Sequence, residues 1–244
     1  MEERLQKIIS AAGLMSRRAA EQALVEGRVL VNGLTASLGD KADKDIDEIM
    51  VDGVKLPTAG DKVYIMLNKP KGFVCTLNDE KGRKNVTELV KDIGVRVYPV
   101  GRLDMYSEGL LLMTNDGDFA NKVMHPSHNI SKTYLTWVVG EDIGMAMEYL
   151  RYPMEIDGYV ISPAEVELFD LYPNGAVLSI TIHEGRNRQV RKMCELVGLK
   201  VTRLLRISEG GLELGELKSG CWRHLSKDEV EMITNGKEAV TDEF

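Results

Sequence analysis

Apolar residues at Leu5, Ile8, Ile9 and Ala12 recur at helical spacing near the start of the chain, and Gly13 stops the run. Ser16 stands at an N-cap position ahead of RRAAEQALVEG, a second predicted helix that ends at Gly27. RVLVNG reads as a short strand entering an Asn-Gly turn, and residues 46 to 55, IDEIMVDGVK, as a strand pair folded at Asp52-Gly53. Two helices and a few short strands make a small module with a thin core. LPTAGDK, residues 56 to 62, carries Pro and Gly and suits a linker.

From Val63 the period changes from helical to strand-like. VYIMLNKP places Val63, Ile65 and Leu67 on one face, and GFVCTL reads as a strand after a Lys-Pro-Lys-Gly turn. VRVYPV and GLLLMT are strands, the second a continuous apolar run fit for a sheet centre buried on both faces. FANKVMH is a short helix behind an Asn-Asp-Gly-Asp turn, and KTYLTWVVG, AEVELFD, AVLSITIHEG and KVTRLLRI are further strands. RNRQVRKMCELVG predicts a helix with Val190, Met193, Cys194 and Val197 inward and Gly198 at its end, and KDEVEMITNG a closing helix. The expected class is α+β: a small α/β module over residues 1–60, then a mostly antiparallel sheet domain over 61–244.

Composition narrows the class without naming a function. The 244 residues are 43% hydrophobic and 28% charged, as a globular protein requires. No apolar run approaches the ~20 residues that span a bilayer. The charged start, MEERLQKIIS, has no signal-peptide core, so a cytoplasmic protein without membrane contact is expected. The three cysteines, Cys75, Cys194 and Cys221, suggest neither disulfides nor zinc. His125 and His128 form an H-x-x-H that no further ligand pattern supports, so no metal is expected.

Net charge is −7, which by itself argues against nucleic acid, but its distribution does not. Between His183 and Arg206, seven Lys/Arg and two Glu give +5, leaving −12 for the remainder. A basic strip on an acidic body can hold a polyanion in one place. Within that strip, Asn187, Arg188 and Arg191 fall on one face of the predicted helix, just after the HEGR turn. A solvated charged face is the alternative.

YPVGRLDMYSEGLLLMTNDGD places Arg102 and Asp104 in a Gly-started loop between two apolar strands. Such a loop is either a surface turn with an incidental ion pair or a floor that fixes a reactive carboxylate. A catalytic carboxylate in a partly dry site needs a cation beside it. Arg102 cannot easily fold back on so close a neighbour, so a more distant Arg is the better partner, and Arg191 is a candidate. Other motifs fail: MYSEG has Met105 where a nucleophile elbow needs Gly. NDGD lacks the spacing and closing Glu of a calcium loop. No phosphate-binding glycine motif gives a nucleotide cofactor a seat.

GRLDMYSEGLLLMTNDGD, KTY and EGRNRQVRKM, with LNKPKGFVCT before them and RLLRI…LGELKSGCWRHLS after, resemble the RsuA/RluB-type ribosomal RNA pseudouridine synthases. SRRAAEQALVEGRVLVNG resembles the S-four-type RNA-binding module that precedes the catalytic domain in that family. The resemblance implies Asp104 as the catalytic aspartate, Tyr134 as the active-site tyrosine and Arg191 as the basic partner of the aspartate. It implies RNA contacts from Arg102, Arg17, Arg18, Lys132, Arg186, Asn187 and Arg188. It implies isomerisation of a uridine flipped out of ribosomal RNA, with large-subunit RNA favoured over small-subunit, by a monomer without cofactor or metal. An RNA-binding assembly factor that kept only the fold is the alternative.

Overall fold

The structure is a computed structural model that describes residues 1–57, 60–77 and 79–235. The chain divides into two compact units. The first takes in Met1–Val63 with the short stretches Gly94–Arg96 and Asn115–Gly117; the second takes in Tyr64–Ile93, Val97–Thr114 and the chain from Asp118 onward.

In the first unit, β1 (Glu3–Arg4) leads into α1 (Leu5–Ala11), followed by α2 (Arg17–Val25). The Ser16 hydroxyl accepts from Ala19 N at 3.1 Å and so caps α2, and Gly27 takes φ 70° just beyond its end. The strands are β2 (Val29–Val31), β3 (Leu34–Thr35), β4 (Lys41–Ala42), β5 (Ile49–Val51) and β6 (Val54–Lys55). β4 pairs with β1, and the others form an antiparallel sheet ordered β3-β2-β5-β6. Asn32-Gly33 and Asp52-Gly53 make the two hairpin turns with positive φ at all four residues, the twist a two-residue turn demands. Leu5, Ile9, Ala20 and Leu24 close over Val29, Ile49 and Val51 to form this unit's core.

The second unit is built on one large sheet. Its elements are β7 (Tyr64–Lys69), β8 (Tyr98–Val100), β9 (Glu108–Thr114), α3 (Gly117–Met124), β10 (Lys132–Val139), α4 (Ile143–Leu150), β11 (Met154–Ile156) and β12 (Tyr159–Ile161). There follow β13 (Glu165–Tyr172), β14 (Gly175–Ile182), α5 (Gln189–Leu196), β15 (Lys200–Glu209), β16 (Leu212–Glu213), β17 (Trp222–His224) and α6 (Lys227–Asn235). Among the described residues the sheet runs β13-β14-β10-β15-β9-β7-β17, with β16 on β15 and β8 on β9. Every pairing in it is antiparallel except β15 with β9, which join in parallel at Leu205↔Glu108 and Arg206↔Gly109. That junction depends on a glycine. A Cβ on Gly109 would lie 2.2 Å from the Arg206 carbonyl oxygen, and its φ of 105° suits no other residue.

β9 is buried on both faces, as its unbroken apolar run implies. β7 departs from its expected alternation: Ile65, Met66 and Leu67 are all fully buried, because the strand lies inside the sheet between β9 and β17. GFVCTL does not form a strand; Val74 makes only an isolated bridge to Asn85. The basic helix starts at Gln189 rather than at Arg186, with Arg188 as a left-handed N-cap at φ 54°. Val197 is its C-cap and half-buried, and Leu199 reaches the core instead. The helix α4 and the β11–β12 hairpin were not expected. The linker expectation at 56–62 and the last glycine of the closing helix touch residues 58, 59 and 236, outside the described ones.

Candidate active site

Asp104 lies in the loop 101–107 between the antiparallel partners β8 and β9, and Gly101 opens the loop at φ 75°. Four successive carbonyls of this loop are captured. Lys69, the fully buried last residue of β7, donates through Nζ to the carbonyls of Asp104 at 3.1 Å, Ser107 at 2.8 Å and its neighbour Pro70 at 3.1 Å. Gly72 N donates to Met105 O at 2.7 Å, and Arg191 Nη2 to Tyr106 O at 3.1 Å. Ser107 N closes the turn onto Asp104 O at 3.0 Å, and Leu103 N donates to Cys75 Sγ at 3.3 Å while Leu103 turns into the core. A loop with its polar backbone groups satisfied in this way holds its side chains in fixed places.

The Asp104 carboxylate is held by charge and left open. Arg188 Nη1 is 3.9 Å and Arg191 Nε 4.0 Å from its Oδ2. Both distances are ion pairs too long for hydrogen bonds, and among the described residues no donor reaches the carboxylate more closely. Its oxygens are therefore not consumed by the protein, and the Asp104 side chain is 29% exposed. Arg191 is largely buried, anchored by the carbonyls of Tyr106 and Val201, and its buried Nε has no acceptor. Burial, then the like charge of Arg188, pushes its pKa down, and Asp104 opposes both. Starting from an arginine's value, it remains a cation. A cleft of about 420 Å³ opens beside Arg188 and Arg191, lined also by Glu195, Lys200 and Val201; neither Asp104 nor Tyr134 lines it.

Tyr134 comes from β10 and stands opposite Arg206 of β15. Burial pushes its phenol above the ordinary value of 10; the charge and hydrogen bonding of Arg206 oppose this, and the charges of Glu209 and, less, Asp104 add to it. At neutral pH the phenol is protonated.

The other expected residues fall into three groups. Arg102, Asn187 and Arg188 are exposed, Arg102 on the Asp104 loop itself and the other two in the turn that enters α5. The cationic groups of Lys132 and Arg186 are engaged: Lys132 Nζ donates to Ile130 O at 2.7 Å, and Arg186 pairs with Glu184 and lies 4.1 Å over the Tyr159 ring. Arg17 and Arg18 are exposed in the first turn of α2, in the first unit, with no ion pair among the described residues.

Lys69 and Cys75 were missed by sequence reasoning. The signal for Lys69 was present: a lysine that ends an apolar strand and precedes a proline has its cation where strand burial continues. Among the described residues no group of three or more His, Cys, Asp or Glu gathers to hold a metal.

The RNA pseudouridylate synthase family profile matches residues 63–196, which contain this loop, Tyr134 and Arg191, and the S4 domain profile matches residues 3–45. Ribosomal large subunit pseudouridine synthase B of Bacillus subtilis is 43% identical over 95% of each chain. An uncharacterized RNA pseudouridine synthase of Mycobacterium leprae is 42% identical over 94% of this chain and 91% of its own. A crystal structure of a pseudouridylate synthase matches with TM-score 0.68 and 29% identity, over 94% of this chain and 99% of that one. With the profile running through the Asp104 loop and relatives matched almost end to end, the chain belongs to the RNA pseudouridylate synthase family.

Proposed function

We propose that this protein converts a uridine of large-subunit ribosomal RNA to pseudouridine, with Asp104 as its catalytic carboxylate. The observation that carries the reading is a carboxylate on a fully tethered loop, beside two guanidiniums and with no hydrogen-bond donor spent on it. The name of the Bacillus relative supports the choice of subunit.

The reaction breaks the bond from ribose C1′ to uracil N1, turns the base and joins C1′ to C5. N1 gains a proton and C5 loses one, so no electrons enter or leave. Asp104, ionised, acts as nucleophile or as the base that starts cleavage. Arg191, fixed by two backbone carbonyls, orients it and balances its charge. Tyr134, a neutral phenol, packs its ring on the uracil and offers a hydroxyl near the reacting atoms.

The base is reached only after it leaves its stack, at a cost of a few kcal/mol that is least in loops and bulges. Arg102 braces the vacated place, and Asn187 and Arg188 meet the flanking backbone. Lys132 and Arg186 join these contacts only by giving up their present partners. Residues 1–60 grip RNA through Arg17 and Arg18, and 61–244 carry the chemistry. The enzyme works as a cytoplasmic monomer; no helix among the described residues is long and apolar enough to cross a membrane.

The test supplies the protein with unmodified large-subunit and, separately, small-subunit ribosomal RNA carrying tritium at uracil C5. Tritium released to water from the large-subunit RNA is expected. Release from the small-subunit RNA alone overturns the subunit, and RNA binding with no release from either overturns the activity.

A further inference from the structure

Behind Tyr134 lies a chain of buried charge that the reaction as described does not use. Arg206 and Glu209 on β15 are each only 2% exposed, and Arg206 Nη2 is 3.1 Å from Glu209 Oε2. Arg206 Nε donates to Leu110 O at 2.8 Å, which fixes the plane of the guanidinium against β9. On the far side, Lys132 Nζ of β10 is 4.0 Å from Glu209 Oε1. Both Arg206 Nη2 and Glu209 Oε2 are buried without a well-aligned hydrogen bond, so the two meet by charge. Ordering a charge pair away from water is costly, and an apolar pair of the same size often folds as well or better. Stability therefore does not account for it.

Beside this charge stands Tyr134, on whose phenol the charge of Arg206 acts. Tyr134 and Arg206 are directly opposed in the β10–β15 register. An arginine donates only, and a phenol has one proton. When the guanidinium donates to the phenol oxygen, the O–H cannot point back toward Arg206. It must point away from Arg206.

We propose that Arg206, fixed by Glu209 and the Leu110 carbonyl, is a positioning residue that directs the Tyr134 O–H toward the reacting base. The proposal rests on the uridine-isomerising reading above. Lys132 then serves as the outer counter-charge of Glu209 rather than as an RNA contact.

The test is single-turnover tritium release at saturating RNA for Glu209→Gln, Tyr134→Phe and the double variant, with RNA affinity and thermal melting measured alongside. Glu209→Gln keeps the size of the side chain and removes the charge that holds Arg206. The rate is expected to fall about tenfold with RNA affinity unchanged, and the same change in the Tyr134→Phe background to have no further effect. A merely structural role would slow the Tyr134→Phe enzyme by the same factor, and that result overturns the proposal, as does an unchanged rate in Glu209→Gln. Should Glu209→Gln not fold, Arg206→Lys takes its place in the cycle, since lysine keeps the charge but lacks the planar fork that Glu209 and Leu110 O hold in one orientation; the same two outcomes decide. A wild-type protein that releases no tritium overturns the uridine-isomerising reading itself, and is distinct from either outcome here.

Discussion

Lys69 Nζ donates to the backbone carbonyl of Asp104 at 3.1 Å from a side chain with no exposed surface. One buried ammonium thus ties the end of β7 to the loop that carries the carboxylate. Removing it leaves the carbonyl of Ser107 short of its donor and loosens that of Asp104. We expect Lys69→Met to cost roughly 2–4 kcal/mol in urea unfolding, at about 1–3 kcal/mol per orphaned buried polar group. The turnover rate should fall further than RNA affinity, because the loop moves while the RNA-binding surface does not.

The same residue has a pH signature. Burial pushes the Lys69 ammonium below its ordinary value of 10.5, with Cys75, Asp104 and Glu108 opposing. The unfolded chain then holds this proton at pH values where the folded chain has released it. The corresponding stability is fully present above 10.5 and is lost as pH falls through the lowered folded-state value. Between those limits wild-type stability should rise with pH relative to Lys69→Met. Paired unfolding curves across the alkaline range check this; a constant difference between the two proteins contradicts it.

Gly109 permits the parallel contact between β9 and β15. Gly109→Ala should destabilise by about 3 kcal/mol or more, from a Cβ driven into the Arg206 carbonyl and a backbone angle alanine avoids. Denaturant unfolding measures it, and a loss under about 1 kcal/mol would show that the strands separate easily.

In the first unit, Arg17→Glu with Arg18→Glu should weaken RNA binding and make the dependence of log affinity on log salt shallower by roughly 1.5. Folding should be unaffected, since both side chains are exposed and acids suit a helix N-terminus. Unchanged affinity would remove both residues from the RNA contact.

The thiols should separate cleanly. Burial pushes Cys194 up to about 12, and Cys221 is exposed. A thiol reagent at pH 8 should modify Cys221 quickly and Cys194 only on unfolding.

Much of this architecture was legible because local signals agreed with the fold. Ser16, Gly27, Asn32-Gly33 and Asp52-Gly53 act through their own backbone, so their roles are visible in sequence. The run in β9 reads as buried on both faces because no polar residue breaks it. What escaped depends on partners far along the chain. Asp157-Gly158 is the same turn signal as Asp52-Gly53, yet the strands beside it are three residues each and too short to show a period. GFVCTL has strand composition, but β7 pairs with β9 and β17 and leaves it no neighbour. Arg188 follows helical spacing from Arg191, yet adopts a left-handed cap and reaches Asp104 from outside the helix. The Asp104–Arg191 pairing was readable; the capture of the loop by Lys69, 35 positions earlier, was not.

The central claim is that the Asp104 carboxylate performs the reaction, and tritium release from uracil C5 by Asp104→Asn tests it most directly. Asparagine keeps the side chain's shape and the loop's tethers, which run through backbone carbonyls rather than the carboxylate. Release should vanish while RNA still binds with wild-type affinity; release at the wild-type rate would contradict the account.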